Sequence, residues 1–214
     1  RSMRINMNNL IKVQSPLIKR DITILRNIKT NTEQFRDALS RITYVMASEI
    51  SKSFEVEEID VQTPLEVTTG YLIKKQIVMV PVLRAGLSMI QPFLDMIPDA
   101  KVGHIGLQRD ENTLLPIDYY YKTPKELPGA KTILLDPMLA TGGSAVAAFN
   151  YLKEKGAKDC ILACLIAAPE GVEKMQREHP EIPVYTASLD RELNSNGYIL
   201  PGLGDAGDRT FGTF

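Results

Sequence analysis

Apolar residues recur at helical spacing early in the chain. Phe35, Leu39, Ile42, Val45, Met46 and Ile50 share one face of a helix predicted over residues 31–53, and Thr30 followed by Glu33 supplies a capping box at its start. Downstream the period changes. Gln76–Leu83 reads as a buried strand ending at Arg84-Ala85-Gly86, after which a helix resumes over Leu87–Ile97. Lys101–Arg109 and Leu115–Lys122 read as two strands joined by the polar turn Asp110-Glu111-Asn112-Thr113. Pro124 to Gly129 interrupts the chain before a strand over Lys131–Leu135. A helix from Ser144 to about Lys155 buries Ala145, Phe149 and Leu152, then stops at Gly156, a left-handed cap behind Lys153 and Lys155. Strand Cys160–Ala167, helix Glu170–His179 and strand Val184–Ala187 complete the pattern.

This alternation predicts an α/β fold, a parallel sheet flanked by helices with ligands outside the carboxyl ends of its strands. The hairpin over about 103–122 does not fit the alternation and is expected to project as a β-arm. Asn194 to Phe214 is rich in Gly and Asp and has no period, a composition usual for surface loops. Tyr198, Ile199, Leu200 and Leu203 are interleaved with those glycines, which predicts a packed C-terminal hood over about 190–214. With no repeat or linker, residues 1–214 are expected to form a single domain opening with a helical segment over about 12–53.

Composition narrows the function classes. At 214 residues, about 70–75% of the unfolded surface should be buried. A formal net charge of −1 gives no electrostatic ground for a nucleic acid or an anionic membrane as partner. The longest apolar run, Cys160 to Ala168, is too short to cross a bilayer, and the N-terminus lacks the apolar core of a signal peptide. Cys160 and Cys164 would lie on one face of a strand ~13 Å apart, too far to bridge, so they read as core residues in a reducing, cytoplasmic compartment. His104 and His179 lack metal-ligand spacing, and Lys74-Lys75 reads as a solvated turn.

The candidate chemistry concentrates in Thr132 to Ala145. A buried strand delivers Asp136, and a short loop then opens through Thr141-Gly142-Gly143-Ser144 into a helix. Backbone N–H groups of a first helical turn can hold a phosphate, and glycines let the backbone approach it. The carboxylate at the strand end can hold sugar hydroxyls, so the whole reads as a site for a phosphorylated ribose. Alone, Thr-Gly-Gly-Ser is equally an ordinary loop-to-helix turn. Arg84 is by itself a surface arginine in a turn, and Arg109 a solvated hairpin charge.

The run Asp136-Pro137-Met138-Leu139-Ala140-Thr141-Gly142-Gly143-Ser144 resembles the phosphoribosyl-diphosphate (PRPP) motif of the type I phosphoribosyltransferases, in the form carried by the uracil phosphoribosyltransferases. Most type I relatives have two adjacent acids here; Pro137 in the second place is a mark of the uracil enzymes. Pro81 to Gly86 resembles the family's diphosphate loop, Gly106 to Thr113 its arm, and Gly197 to Arg209 its uracil-binding segment. The resemblance runs from about residue 12 to the C-terminus. It implies a type I phosphoribosyltransferase-like fold and transfer of ribose 5-phosphate from PRPP to N1 of uracil, giving UMP and diphosphate in pyrimidine salvage.

It further implies that residues 140–144 hold the 5′-phosphate, Asp136 the ribose hydroxyls, and Arg84 and Arg109 the diphosphate. Ile199, Gly204, Asp205 and Ala206 would read uracil through the main chain, with Asp205 also touching PRPP. Apart from the resemblance, Asp205 is a candidate to draw off the N1 proton. Mg²⁺ is expected to come with PRPP, held mainly by substrate and water oxygens. A homodimer or homotetramer is expected, and GTP is a candidate effector. Two rivals stay open: a purine or orotate transferase sharing the cradle but lacking the Gly-Asp-Ala-Gly-Asp tail, and a PRPP- or UMP-sensing regulator that keeps the fold and acts by binding RNA or a protein.

Overall fold

A computed structural model describes residues 9–109 and 116–214, without the side chains of 108–109 and 116–118. The first described elements are strand β1 (Leu10–Lys12), helix α1 (Pro16–Arg26) and helix α2 (Thr32–Ser51). Ser15 caps α1, its hydroxyl accepting from the Ile18 N–H, and Pro16 occupies the first turn, where no donor is needed. The capping box of α2 lies one residue beyond the expected one. Asn31 is the cap and Gln34 its reciprocal partner, while the Thr30 hydroxyl instead donates to the Ile24 carbonyl.

Next come a hairpin, β2 (Val56–Gln62) and β3 (Val67–Ile73), then strand β4 (Ile77–Leu83), a 3-10 turn over Ala85–Met89 and helix α3 (Ile90–Met96). The expected continuous helix over 87–97 is therefore shorter and enters through that turn. β5 (Lys101–Val102) and β6 (His104–Arg109) divide at Gly103, and β7 (Pro116–Lys122) pairs back on β6 as the arm. The expected polar turn, Asp110 to Thr113, lies outside the described residues. β8 (Lys131–Leu135), β9 (Met138–Leu139), α4 (Gly143–Glu154), β10 (Asp159–Ala167), α5 (Pro169–Glu178) and β11 (Val184–Leu189) follow. The tail holds a small hairpin, β12 (Glu192–Leu193) with β13 (Ile199–Leu200), and helix α6 (Ala206–Phe211).

Among the described residues the main sheet runs β1-β11-β10-β8-β4-β6-β7, parallel throughout except at β6–β7, with β5 beside β4 and β9 beside β10. From β4 the chain moves outward to β6, then returns to β8 on the other side of β4. That reversal opens a crevice at the carboxyl ends of β4 and β8. Residue alternation places Ile133 and Leu135 against α1, α2 and α3, whereas Leu134 faces α4 and α5. Both faces are covered, so β8 is wholly buried. The arm is rooted on this framework, with the Tyr121 ring stacked on Tyr151 of α4 at 3.9 Å between centroids.

Cys160 and Cys164 are both free and buried, and burial pushes their thiols up to about 11 and about 12. Lys74 and Lys75 sit in a bend as expected, Lys74 exposed and Lys75 paired, its ammonium 2.9 Å from both Glu55 and Asp159. No helix among the described residues is long and apolar enough to cross a membrane.

Candidate active site

The sheet brings two loops together. β4 and β8 pair in parallel with Pro81 opposite Leu135, so Arg84 and Asp136 leave neighbouring strands at the same end. The Leu83–Arg84 peptide bond is cis, as is Leu200–Pro201 in the tail. After Asp136 the backbone stays tied to β10. The Asp136 N–H donates to the Ala163 carbonyl, and the Pro137 carbonyl accepts from Leu165 and Ile166 at 2.9 and 3.0 Å. The Ala168 N–H then donates to the Leu139 carbonyl at 2.8 Å. Asp136 turns one carboxylate oxygen back to the Met138 N–H at 3.2 Å.

Helix α4 starts from Gly142, whose φ of +80° is a left-handed conformation that glycine adopts without a steric penalty. Gly142 has no side chain to cap this helix, and apart from the Gly143 N–H, 3.4 Å from the Thr141 hydroxyl, its first-turn N–H groups are left for an anion. Thr141, Gly142, Ser144 and Ala145 line a recess of about 30 Å³ at that point. The next cavity, about 340 Å³, continues from it: Asp136, Met138, Ala140 and Ser144 form one side, Ile199, Gly204, Asp205 and Ala206 the other, and Arg84 stands between. Pro137 and Gly143 line neither space, and Leu139 reaches only the smaller one. Arg109 ends β6, and its side chain lies outside the described residues. A larger groove of about 500 Å³ between α1 and α2, beside Asn27 and Gln34, contains none of these groups.

The hood is fastened from outside the motifs. Arg26, at the end of α1, forms a two-pronged pair with Asp190 at 2.6 and 2.7 Å, and Asp190 also accepts from the Gly202 N–H and the Ser188 hydroxyl. Burial tends to raise the Asp190 carboxyl, but the hydrogen bonds from Arg26, Gly202 and Ser188 outweigh it and hold the group below the usual carboxylate range. Arg209 donates to the carbonyls of Leu25, Asn27 and Leu203 and lies over the Phe35 ring, 4.6 Å from its centre. Arg36 donates to the Thr210 carbonyl. Asp205 caps α6, one carboxylate oxygen accepting from the Asp208 N–H at 2.8 Å.

Arg26, Asp190 and Asp208 have no role that the sequence motifs predict. Arg209 and Asp208 stand inside the quoted tail, so position alone could have raised them. Arg26 and Asp190 are 164 residues apart, and nothing local links them.

The chain is similar to known proteins over nearly its whole length. The family described as uracil phosphoribosyltransferase matches residues 12–213. A uracil phosphoribosyltransferase of Salinibacter ruber is 52% identical over 207 residues, covering 97% of this chain and 99% of the relative. A solved protein structure from Aquifex aeolicus superposes with a TM-score of 0.90 at 35% identity, over 95% of this chain and 98% of that one. The purine phosphoribosyltransferase of Pyrococcus horikoshii, 16% identical with a TM-score of 0.52 over 72% of this chain and 84% of its own, shares the fold.

Proposed function

This chain belongs to the uracil phosphoribosyltransferase family, and on that premise we propose that it transfers the 5-phosphoribosyl group of PRPP to N1 of uracil, forming UMP and diphosphate. It is then a pentosyltransferase of pyrimidine salvage, with residues 1–214 acting as one catalytic unit. The observation that carries the reading is the single cleft in which the uncapped start of α4 and Asp136 face the hood residues Ile199, Asp205 and Ala206 across Arg84.

The chemistry asks little of a nucleophile. The bond from C1 to diphosphate breaks ahead of N1 attack, so positive charge develops on the ribose ring while negative charge builds on the leaving group. Groups that hold those charges in place lower the barrier. Residues 140–144 take the 5′-phosphate and Asp136 the ribose hydroxyls. Arg84 and Arg109 take the diphosphate. Ile199, Gly204 and Ala206 read uracil through main-chain N–H and C=O groups. A base carrying an amine in place of the O4 carbonyl would leave such groups unpaired, a penalty of roughly 10⁴ in selectivity. Asp205 has one oxygen committed to α6 and keeps the other for PRPP or the N1 proton.

Mg²⁺ fits as a passenger on PRPP. Pro137 occupies the second acid place, and among the described residues no three acid, histidine or cysteine groups gather as metal ligands. Asp136 and Asp205 both line the cleft, a donor set suited to an ion held mostly by substrate and water oxygens. Bound there, the ion offsets charge on the diphosphate.

The proposal extends to a homodimer or homotetramer, supported by exposed Val56, Val67, Tyr71 and Leu72 on the β2–β3 hairpin. GTP is put forward as an effector, and the free thiols support a cytoplasmic setting. The test offers PRPP and Mg²⁺ with uracil, cytosine, orotate or hypoxanthine, with and without GTP, and follows nucleotide formation. UMP from uracil alone is expected; a product from hypoxanthine or orotate instead would overturn the assignment of the base.

A further inference from the structure

Asp208 touches both halves of the cleft. Its backbone N–H donates to Asp205 at 2.8 Å, while its carboxylate accepts from the Arg84 guanidinium at 3.2 Å. Thr213 completes the hold: its hydroxyl donates to the same Asp208 oxygen at 2.7 Å and accepts from Arg84 at 3.3 Å. Phe211, on the same short helix, lies beneath the guanidinium with its ring centre 5.7 Å from Cζ. Three side chains within six residues therefore converge on one arginine, whose own side chain is 53% exposed and would otherwise be free to swing.

The geometry points to Asp208 as a positioning residue: it sets the Arg84 guanidinium against Asp205, so that the diphosphate side and the base side of the cleft keep one spacing. This rests on the proposed reading of the cleft. The contact orients Arg84 rather than masking it. Asp190 grips Arg26 with two oxygens at 2.6 and 2.7 Å, whereas Asp208 meets Arg84 through one oxygen at 3.2 Å. Charge-assisted pairs that saturate an arginine are shorter and two-pronged. A guanidinium has five N–H donors, and Asp208 and Thr213 engage only two, leaving three for a diphosphate.

The test measures PRPP affinity by calorimetry with Mg²⁺, together with steady-state kinetics and Tm, for the whole chain carrying Asp208→Ala, Asp208→Asn or Thr213→Val. Asp208→Ala should weaken PRPP binding about tenfold, the worth of one hydrogen bond to a charged group. Asp208→Asn keeps an acceptor oxygen and should recover most of that loss. Thr213→Val, at an exposed position, should show a smaller loss with Tm unchanged. Unchanged or tighter PRPP binding in Asp208→Ala would overturn the inference, tighter binding meaning that the carboxylate masks Arg84. Equal losses in the Ala and Asn variants that follow Tm would assign a purely structural role and also overturn it. Calorimetry reads PRPP directly, so absence of UMP formation by the unsubstituted protein would count against the proposed reaction without blurring this result.

Discussion

The cradle and the hood face each other across one cleft but are held by different forces. From Asp136 to Ser144 the chain is fixed by its own backbone, with a buried strand before it, main-chain hydrogen bonds to β10 beside it and a helix after it. The hood has little regular structure of its own. Arginine side chains from α1 and α2, and Arg209 reaching back, tie its carbonyls and Asp190 to the helical layer. A phosphate site made from consecutive residues survives as a motif. A base site held by distant side chains depends on the whole fold.

The strongest way to break the cradle leaves its motif untouched. Gly171, in α5, lies so close that a Cβ there would stand 2.5 Å from the Ala140 carbonyl oxygen and 2.9 Å from that of Leu139. Gly171→Val should displace the phosphate loop and lower kcat/KM about 100-fold, the scale of a 1 Å misplacement. The hood should fail differently. Asp190→Ala strands the Arg26 guanidinium and the Gly202 N–H; with Arg26 a quarter exposed, the loss should be about 2–4 kcal/mol in a denaturant melt. Uracil KM should rise in that variant while PRPP affinity holds.

Arg209→Lys keeps the charge but loses the fork that reaches three carbonyls. Uracil KM should rise about fivefold, roughly the value of one hydrogen bond, with PRPP KM unchanged. The smallest effect is in acid. Asp190, and Asp21 of α1, which pairs with Arg41 of α2 and with Arg20, titrate below their ordinary values in the folded protein, because their hydrogen bonds outweigh the burial that would raise them. Their stabilisation is therefore complete above the unfolded carboxylate range and lost as pH falls through the folded values, below about pH 4. Urea melts between pH 5 and 3 should show stability falling, with a shallower slope in Asp190→Asn.

What could be read in the sequence follows the same division. Lys131–Leu135, Asp136 and the α4 start were legible because strand, acid and glycines are consecutive and each has one local meaning. The β2–β3 hairpin was not, since nearly all its side chains are exposed and no buried face imprints a period of two. Helix α6 escaped because six residues between glycines carry too little period to read. Asn31 displaced Thr30 as the cap of α2 by one position, within the usual uncertainty of helix ends. The contacts by which Arg26, Arg36 and Arg209 tie the hood to the α1–α2 layer span 164 to 184 residues and leave no trace along the chain.

The Tyr121–Tyr151 stack has an engineering consequence. The root of the arm is pinned to the very helix whose first turn forms the phosphate recess. Lengthening or shortening β6 and β7 by matched residues would therefore alter how far the arm extends while its anchorage, and hence its bearing on the recess, stays put. Such variants could measure that reach as a ruler whose zero is already set.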